Sequence, residues 1–420
     1  FLRTRIQEAL IITIGIMLGS TRLLGAVSSN TVRRLAHRSL STTPNPVSQS
    51  LYRRENEVGP GGRCSNAGVK VAVFGGGGFL GRYVCCNLGT HGTLTYIANR
   101  GDDMELRHLK PSFDLGRSRF VFYSPRDRES MKEVIADADI VINMVGKYYE
   151  TKALSNKEGF PYLEYKTNFS FEECNVDICR TVAELCTEMQ VDNLIHVSSA
   201  AASPDSGSEW ARTKFLGEQA VKEAFPWATI IRPTQLFGPE DRFLNWFANA
   251  ANMYPAVPLV DGGNALTQPV YTTDVADTIM RVVDDPEEYE GKTIDCFGPA
   301  DYTYKELSEF VFDITNQDPT VAEVPKSVML ASAKLMQYQP LPMVTPDLVE
   351  LWSEDYLPPV GTQEDYDAQT GKDKILTMKD LGVAQTPIEK IAFNYLHRFR
   401  KGGHFALAGG YHGNHTEKSA

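Results

Sequence analysis

Short, unbroken apolar runs alternate with helical repeats through the middle of the chain, and this alternation predicts a parallel sheet covered on both faces by helices. The runs predict strands over residues 69–74, 94–98, 119–123, 140–144, 194–198 and 229–231. Between them, apolar residues return at i, i+3 and i+4, most clearly over 79–88, 169–190 and 210–224, which predicts helices. From Phe237 the alternation loosens and prolines multiply. That change predicts a smaller C-terminal lobe over 237–400, packed on the open edge of the sheet as the substrate side of a cleft. The Pro- and acid-rich segment 341–372 reads as an irregular surface loop, and 401–420 as a flexible tail. The resulting fold class is α/β, a doubly wound parallel sheet with its nucleotide-type domain over 69–236.

The N-terminal region changes the picture. Residues 1–48 hold Arg3, Arg5, Arg22, Arg33, Arg34 and Arg38 against the single acid Glu8, with many serines. An Arg-rich, Ser-rich, acid-poor start has the composition of an organelle transit peptide. A mitochondrial presequence is expected over 1–43, followed by a Pro/Gly/Ser linker over 44–68. The mature N-terminus is then expected between about 40 and 60. Met17 is an alternative start within this stretch. The apolar run from Ala9 to Leu18 is too short to cross a bilayer, which takes about 20 residues.

Across its 420 residues the chain is 42% hydrophobic with a formal net charge of -11. That balance supports a large core and argues against a nucleic-acid partner, because phosphate binding needs a clustered excess of Lys and Arg. Seven cysteines lack any C-x-x-C spacing and sit in apolar segments, as expected of reduced core thiols. His404, His412 and His415 lie in the Gly-rich tail with nothing to fix their geometry, so no metal site is expected.

The sharpest chemical signal follows the first strand. Val71-Ala72-Val73-Phe74 runs directly into Gly75-Gly76-Gly77-Gly78-Phe79-Leu80-Gly81 and then a helix. The spacing fits G-x-G-x-x-G through Gly76, Gly78 and Gly81, and also G-x-x-G-x-x-G through Gly75, Gly78 and Gly81. In either register a pyrophosphate meets backbone N–H groups at a helix N-terminus, with glycine where a Cβ would obstruct it. This is the fingerprint of a Rossmann-type dinucleotide site. Past the second strand, where an acid would accept a ribose 2′-hydroxyl, the chain has Ala98-Asn99-Arg100. Arg100 can pair with a 2′-phosphate, which favours NADP(H) over NAD(H). The alternative is a surface ion pair from Arg100 to Asp102 or Asp103. The fourth strand ends in Asn143-Met144-Val145-Gly146, small enough to approach the adenosine ribose.

Carbonyl reduction on such a sheet uses a serine with a Tyr-x-x-x-Lys pair on one helical face, the tyrosine passing the proton. Ser198 and Ser199 end the fifth strand, and Lys214 stands on the following helix. Trp210 occupies the position four residues before it. Indole has one weakly acidic donor and no acceptor, so it cannot shuttle a proton near neutral pH. Tyr148, Tyr149 and Tyr165 are candidate cleft tyrosines, and Tyr148 has Lys152 four residues on, although that pair precedes the long helix on an expected loop.

The glycine loop, the 143–146 strand end, the Lys214 helix and the block Ile230-Ile231-Arg232-Pro233-Thr234-Gln235-Leu236-Phe237-Gly238-Pro239-Glu240-Asp241-Arg242-Phe243-Leu244-Asn245 together resemble a family. It comprises the atypical short-chain dehydrogenase/reductase-like accessory subunits of mitochondrial respiratory complex I. Gln268-Pro269-Val270-Tyr271 with Asp274-Val275-Ala276 is similar to it as well. The resemblance implies an extended short-chain dehydrogenase/reductase fold holding NADPH outside the electron path. It also implies other complex I subunits as partners at the matrix face of the inner membrane, and admits a phospholipid contact there. The expected cofactor residues are Gly75, Gly78, Phe79, Leu80, Gly81, Arg100, Val145, Gly146, Ser198, Lys214 and Pro233, with no catalytic residue. Two alternatives stay open: an active NADP-dependent reductase or epimerase with a displaced acid, and a free NADP(H)-sensing regulator.

Overall fold

Lys70–Phe74 (β1) is buried on both faces because its side chains alternate between two cores. Val71 and Val73 join one apolar cluster, and Ala72 and Phe74 the other. A strand covered on both sides needs continuous rather than alternating apolar residues, which is why the run is unbroken. Seven further strands join it: Leu94–Asn99 (β2), Ser118–Phe122 (β3), Ile140–Asn143 (β4), Asn193–Val197 (β5), Thr229–Pro233 (β6), Thr293–Cys296 (β7) and Leu376–Thr377 (β8). All pair in parallel, in the order β8-β7-β6-β5-β4-β1-β2-β3. The order reverses between β1 and β4, and a crevice opens at such a switch point. The computed structural model describes residues 66–156, 163–254, 256–317, 319–339, 342–360, 365, 366, 369 and 374–400, all within the unit 64–420. The expected presequence, Cys64, the tail histidines, and the side chains of Tyr165 and Lys152 lie outside the described residues.

The six expected strands match β1 to β6 to within two residues at each end. Two sheet strands were not foreseen. β7 is only TIDC with a buried acid inside it, and β8 is two residues long, so neither carries a readable period. Both fall within 237–400. The amphipathic helix Thr272–Asp284 (after β6) also packs on Phe79–His91 (α1) in the core that contains β1. The segment assigned to the lobe therefore leaves the sheet and returns to it.

The expected helix over 169–190 divides. Glu173–Asp177 is a π turn that leads into Ile178–Met189, which ends on Gln190 in the left-handed region (φ 59°). The π turn fits against Gly217 of Glu209–Ala224, where a Cβ would strike the Asn175 carbonyl oxygen. The expected surface loop 341–372 is corrected as well. Pro346–Ser353 is a helix capped by Thr345, whose Oγ1 accepts from the Leu348 N–H, and Tyr356 and Tyr366 are buried beyond it. Proline at the first helical position and a threonine cap outweigh the local Pro and acid content. The lobe has its own core, drawn from Leu244–Met253, Tyr304–Thr315 and Ile388–Leu396. Among the described residues, no helix is long and apolar enough to cross a membrane.

Candidate dinucleotide site

The glycine loop sits at the carboxyl end of β1, beside the switch point. Gly75 adopts φ +83°, and the Gly78 N–H closes the turn onto the Gly75 carbonyl at 3.0 Å. A Cβ on Gly75 would come within 2.9 Å of the Met144 carbonyl oxygen, so β1 and β4 exit side by side only with glycine there. At Gly81 a Cβ would strike the Gly75 carbonyl oxygen and lie 2.8 Å from Gly76 Cα. Gly81 therefore lets helix and strand touch. Gly78 differs, since a Cβ there would meet one protein atom, Gly75 O at 3.2 Å, and otherwise project into the cleft. No side chain caps α1 and no acid occupies its first turn, so its leading N–H groups and positive dipole end are available to an anion.

Gly75, Gly78, Phe79, Leu80, Gly81, Gly146, Ser198, Lys214 and Pro233 line one cavity of about 670 Å³. Lys214 is buried, and burial pulls its ammonium below the ordinary lysine pKa. A Cβ on Gly146 would lie 3.0 Å from its Nζ. Glu218, one turn on, is already committed to Arg232 in a buried pair at 2.6 Å. Ser198 Oγ is buried without a partner. Ser199 Oγ is not free, because it shares a hydrogen bond with the Tyr356 hydroxyl at 2.6 Å.

Trp210 stands where the helix register put it. Its Nε1–H donates to the Lys147 carbonyl at 2.7 Å, and its ring stacks on Tyr148 with centroids 5.7 Å apart. The one indole donor is thus spent on the backbone. Tyr356 lines the same cavity, yet burial pushes its phenol above the ordinary range, so it holds its proton more tightly than free tyrosine. His196, within β5, is also buried, and desolvation lowers it to about 3, leaving it neutral.

Arg100 and Val145 lie outside the cavity lining. Val145 is half-buried at the β4 end, its N–H held by Asn143 Oδ1 at 3.1 Å. Arg100 is exposed beyond β2, with its guanidinium 6.0 Å from the Phe169 ring centroid. Asp102 instead caps the short helix Asp103–Leu106, and Asp103 accepts from Asn99 Nδ2, so both acids have other work. Arg126 sits 4.2 Å from the same Phe169 ring. Two guanidinium groups therefore lie near one aromatic ring, that of Arg126 also paired with Glu173 at 3.3 Å.

Three residues escaped sequence reasoning. Asn175, in the π turn, donates to Thr213 Oγ1 while its Oδ1 is buried and unpartnered near Gly146. A π turn is a frequent mark of a functional site, but nothing in the local sequence announces one. Tyr356 and Trp246 reach the cavity from the lobe, far along the chain. Cys86 corrects another expectation, being exposed while Cys85, Cys174, Cys179, Cys186 and Cys296 are buried thiols. No cluster of metal-binding side chains occurs among the described residues.

A doubly wound parallel sheet with a glycine loop at its switch point and a lysine across the crevice defines a Rossmann-type α/β protein. The chain belongs to the NAD dependent epimerase/dehydratase family, whose model matches residues 71–296. Its sequence is similar to "NADH dehydrogenase (ubiquinone) 1 alpha subcomplex subunit 9, mitochondrial" of Mus musculus, at 36% identity over 81% of this chain and 83% of the relative. The protein of that name from Arabidopsis thaliana is 34% identical over 82% and 81%. Among solved structures, the fold is similar to dTDP-glucose 4,6-dehydratase from Streptomyces venezuelae, with a TM-score of 0.53 and 17% identity over 79% of this chain and 96% of that one.

Proposed function

We propose that this chain is a non-catalytic accessory subunit of mitochondrial respiratory complex I that holds NADP(H) as a structural pin. The carrying observation is Trp210. The glycine loop and Lys214 are kept, while the position of the proton-passing phenol holds an indole whose donor is spent on Lys147 O. The similarity to complex I subunits over four-fifths of the chain supports the assembly partners. It also supports a mitochondrial location; the finer reading, our own, is the matrix face of the inner membrane, with a phospholipid contact admitted there.

In this reading α1 and the Gly75–Gly81 loop hold the pyrophosphate, Gly146 lets the adenosine ribose approach, and Lys214 with Ser198 takes the nicotinamide ribose. Pro233 lines the nicotinamide end, and Val145 shapes the β4 exit. Arg100, beside Arg126, meets the 2′-phosphate and selects NADP(H). A bound nicotinamide dinucleotide supplies hydride chemistry, but this chain's residues contribute binding and orientation only. The test is migration with a large inner-membrane assembly on a native gel, together with the nucleotide released on denaturation. Comigration with NADP(H) released is expected. A free protein that consumes NADPH with a carbonyl substrate overturns the proposal.

A further inference from the structure

Beyond the glycine loop, the cavity continues into a chamber walled by the lobe. Leu244–Met253 contributes Trp246, and Pro346–Ser353 contributes Leu348, Leu351 and Trp352, with Met343 beside them. The Trp246 and Trp352 rings lie 4.7 Å apart. Several polar groups lining this part are already committed to one another. Asp241 accepts from the Gly238, Phe243 and Asn245 N–H groups and from the Tyr395 hydroxyl. Asn245 donates to Pro239 O and Asp241 O and accepts from Arg398. Ser199 and Tyr356 bond each other.

What remains is specific. Trp246 Nε1–H is buried in the chamber wall with no acceptor. Arg242 and Asn249 are exposed along the same cavity, Arg242 lying 5.0 Å over the Tyr149 ring. A sugar would bring many hydroxyls to a wall with few open partners, and each unpaired buried hydroxyl weakens binding. An apolar chain with one oxygen head matches the wall, since the Trp246 donor, the Arg242 cation and the Asn249 amide are there to receive it.

We propose that this chamber binds a fatty-acyl chain, with the tail among Leu348, Leu351 and the paired indoles and a head oxygen accepting from Trp246 Nε1–H near Arg242. The inference rests on the reading that the glycine-loop half of the cleft is left to the dinucleotide. The test is isothermal titration of the full chain with dodecanoate, with UDP-glucose as the contrasting probe and bound nucleotide quantified in the same sample. Saturable dodecanoate binding is expected, with no heat from UDP-glucose. Leu348→Glu should abolish that binding. Trp246→Phe keeps an aromatic ring but removes the donor, and should weaken it about tenfold, measured well below the variant's own melting temperature because the smaller ring also loosens the lobe core. Binding indifferent to both variants, or saturable binding of UDP-glucose in place of dodecanoate, overturns the proposal. Retained nucleotide without dodecanoate binding removes the acyl site alone. Dodecanoate binding to a chain that never carries nucleotide removes the cofactor reading alone and leaves the acyl site standing.

Discussion

Gly78→Val separates the ligand's space from the protein's. Gly78 has φ -72° and ψ 175°, an extended conformation that valine adopts readily. Its new Cβ would meet a single protein atom at 3.2 Å, so the cost to the empty protein is about 1 kcal/mol or less. The branched methyls project into the cleft and displace the pyrophosphate. A ligand at a thousand times its Kd stabilises the folded state by about 4 kcal/mol. At about 2 °C per kcal/mol for a chain of this size, losing it lowers the melting temperature by about 8 °C. Gly81→Ala is the contrasting variant. Its Cβ would press on backbone atoms of Gly75 and Gly76 that have no room to yield, which costs about 1–3 kcal/mol with or without nucleotide. Calorimetry of the loaded wild type, the stripped wild type and both variants distinguishes these terms. Gly78→Val should melt with the stripped wild type and ignore added NADPH, whereas Gly81→Ala should melt below the stripped protein. If Gly78→Val keeps its nucleotide, or falls as far below the stripped wild type as Gly81→Ala does, the assignment of Gly78 to the pyrophosphate is wrong.

Trp210→Phe leaves Lys147 O without its donor, so denaturant titration should show a loss of about 1–2 kcal/mol, while NADH:quinone electron transfer per assembled complex stays unchanged. A fall in that rate at matched assembly contradicts the inert reading of the position. Arg100→Ala should weaken NADPH binding about 10- to 100-fold and leave NADH binding alone, and equal losses for both nucleotides would remove the 2′-phosphate role. Asp295 is buried with Oδ1 unpartnered, and desolvation raises it to about 6, above its unfolded value. Its ionisation therefore penalises the folded state above pH 6, and the penalty fades as pH falls from about 6 towards about 4. That contribution is at most about 3 kcal/mol. Asp295→Asn should flatten this rise in unfolding free energy on acidification, and an unchanged slope would show that the carboxyl titrates normally.

Much of the site was legible because its chemistry is local. The loop Gly75–Gly81 carries its own context, a buried strand before it and a helix after it, and Trp210 is fixed relative to Lys214 by helical spacing alone. The structure brings nine of the expected cofactor residues to one cavity. What stayed hidden depends on long-range packing. β8 is recognisable only through its partner β7, and Tyr356 finds Ser199 across 157 positions. The π turn at Asn175 depends on the close approach of Gly217, one helix away. The segment 341–372 misled because proline and acids mark loops in general, whereas here Thr345 and Pro346 start a helix that closes the cleft. The block from Arg232 to Asn245 proved to be the hinge of the architecture. Arg232 pairs with Glu218 under the sheet, Pro233 ends β6 at the cavity, and Asp241 and Asn245 tie the first lobe helix to Tyr395 and Arg398.

The most direct measurement takes the intact inner-membrane assembly, quantifies the nucleotide released from it, and follows that nucleotide's redox state before and during steady NADH oxidation. A structural pin predicts NADP(H) in near-stoichiometric amount with this chain and a redox state that does not change while the complex turns over. An assembly without NADP(H), or a bound nucleotide oxidised and reduced at the rate of turnover, would contradict the account.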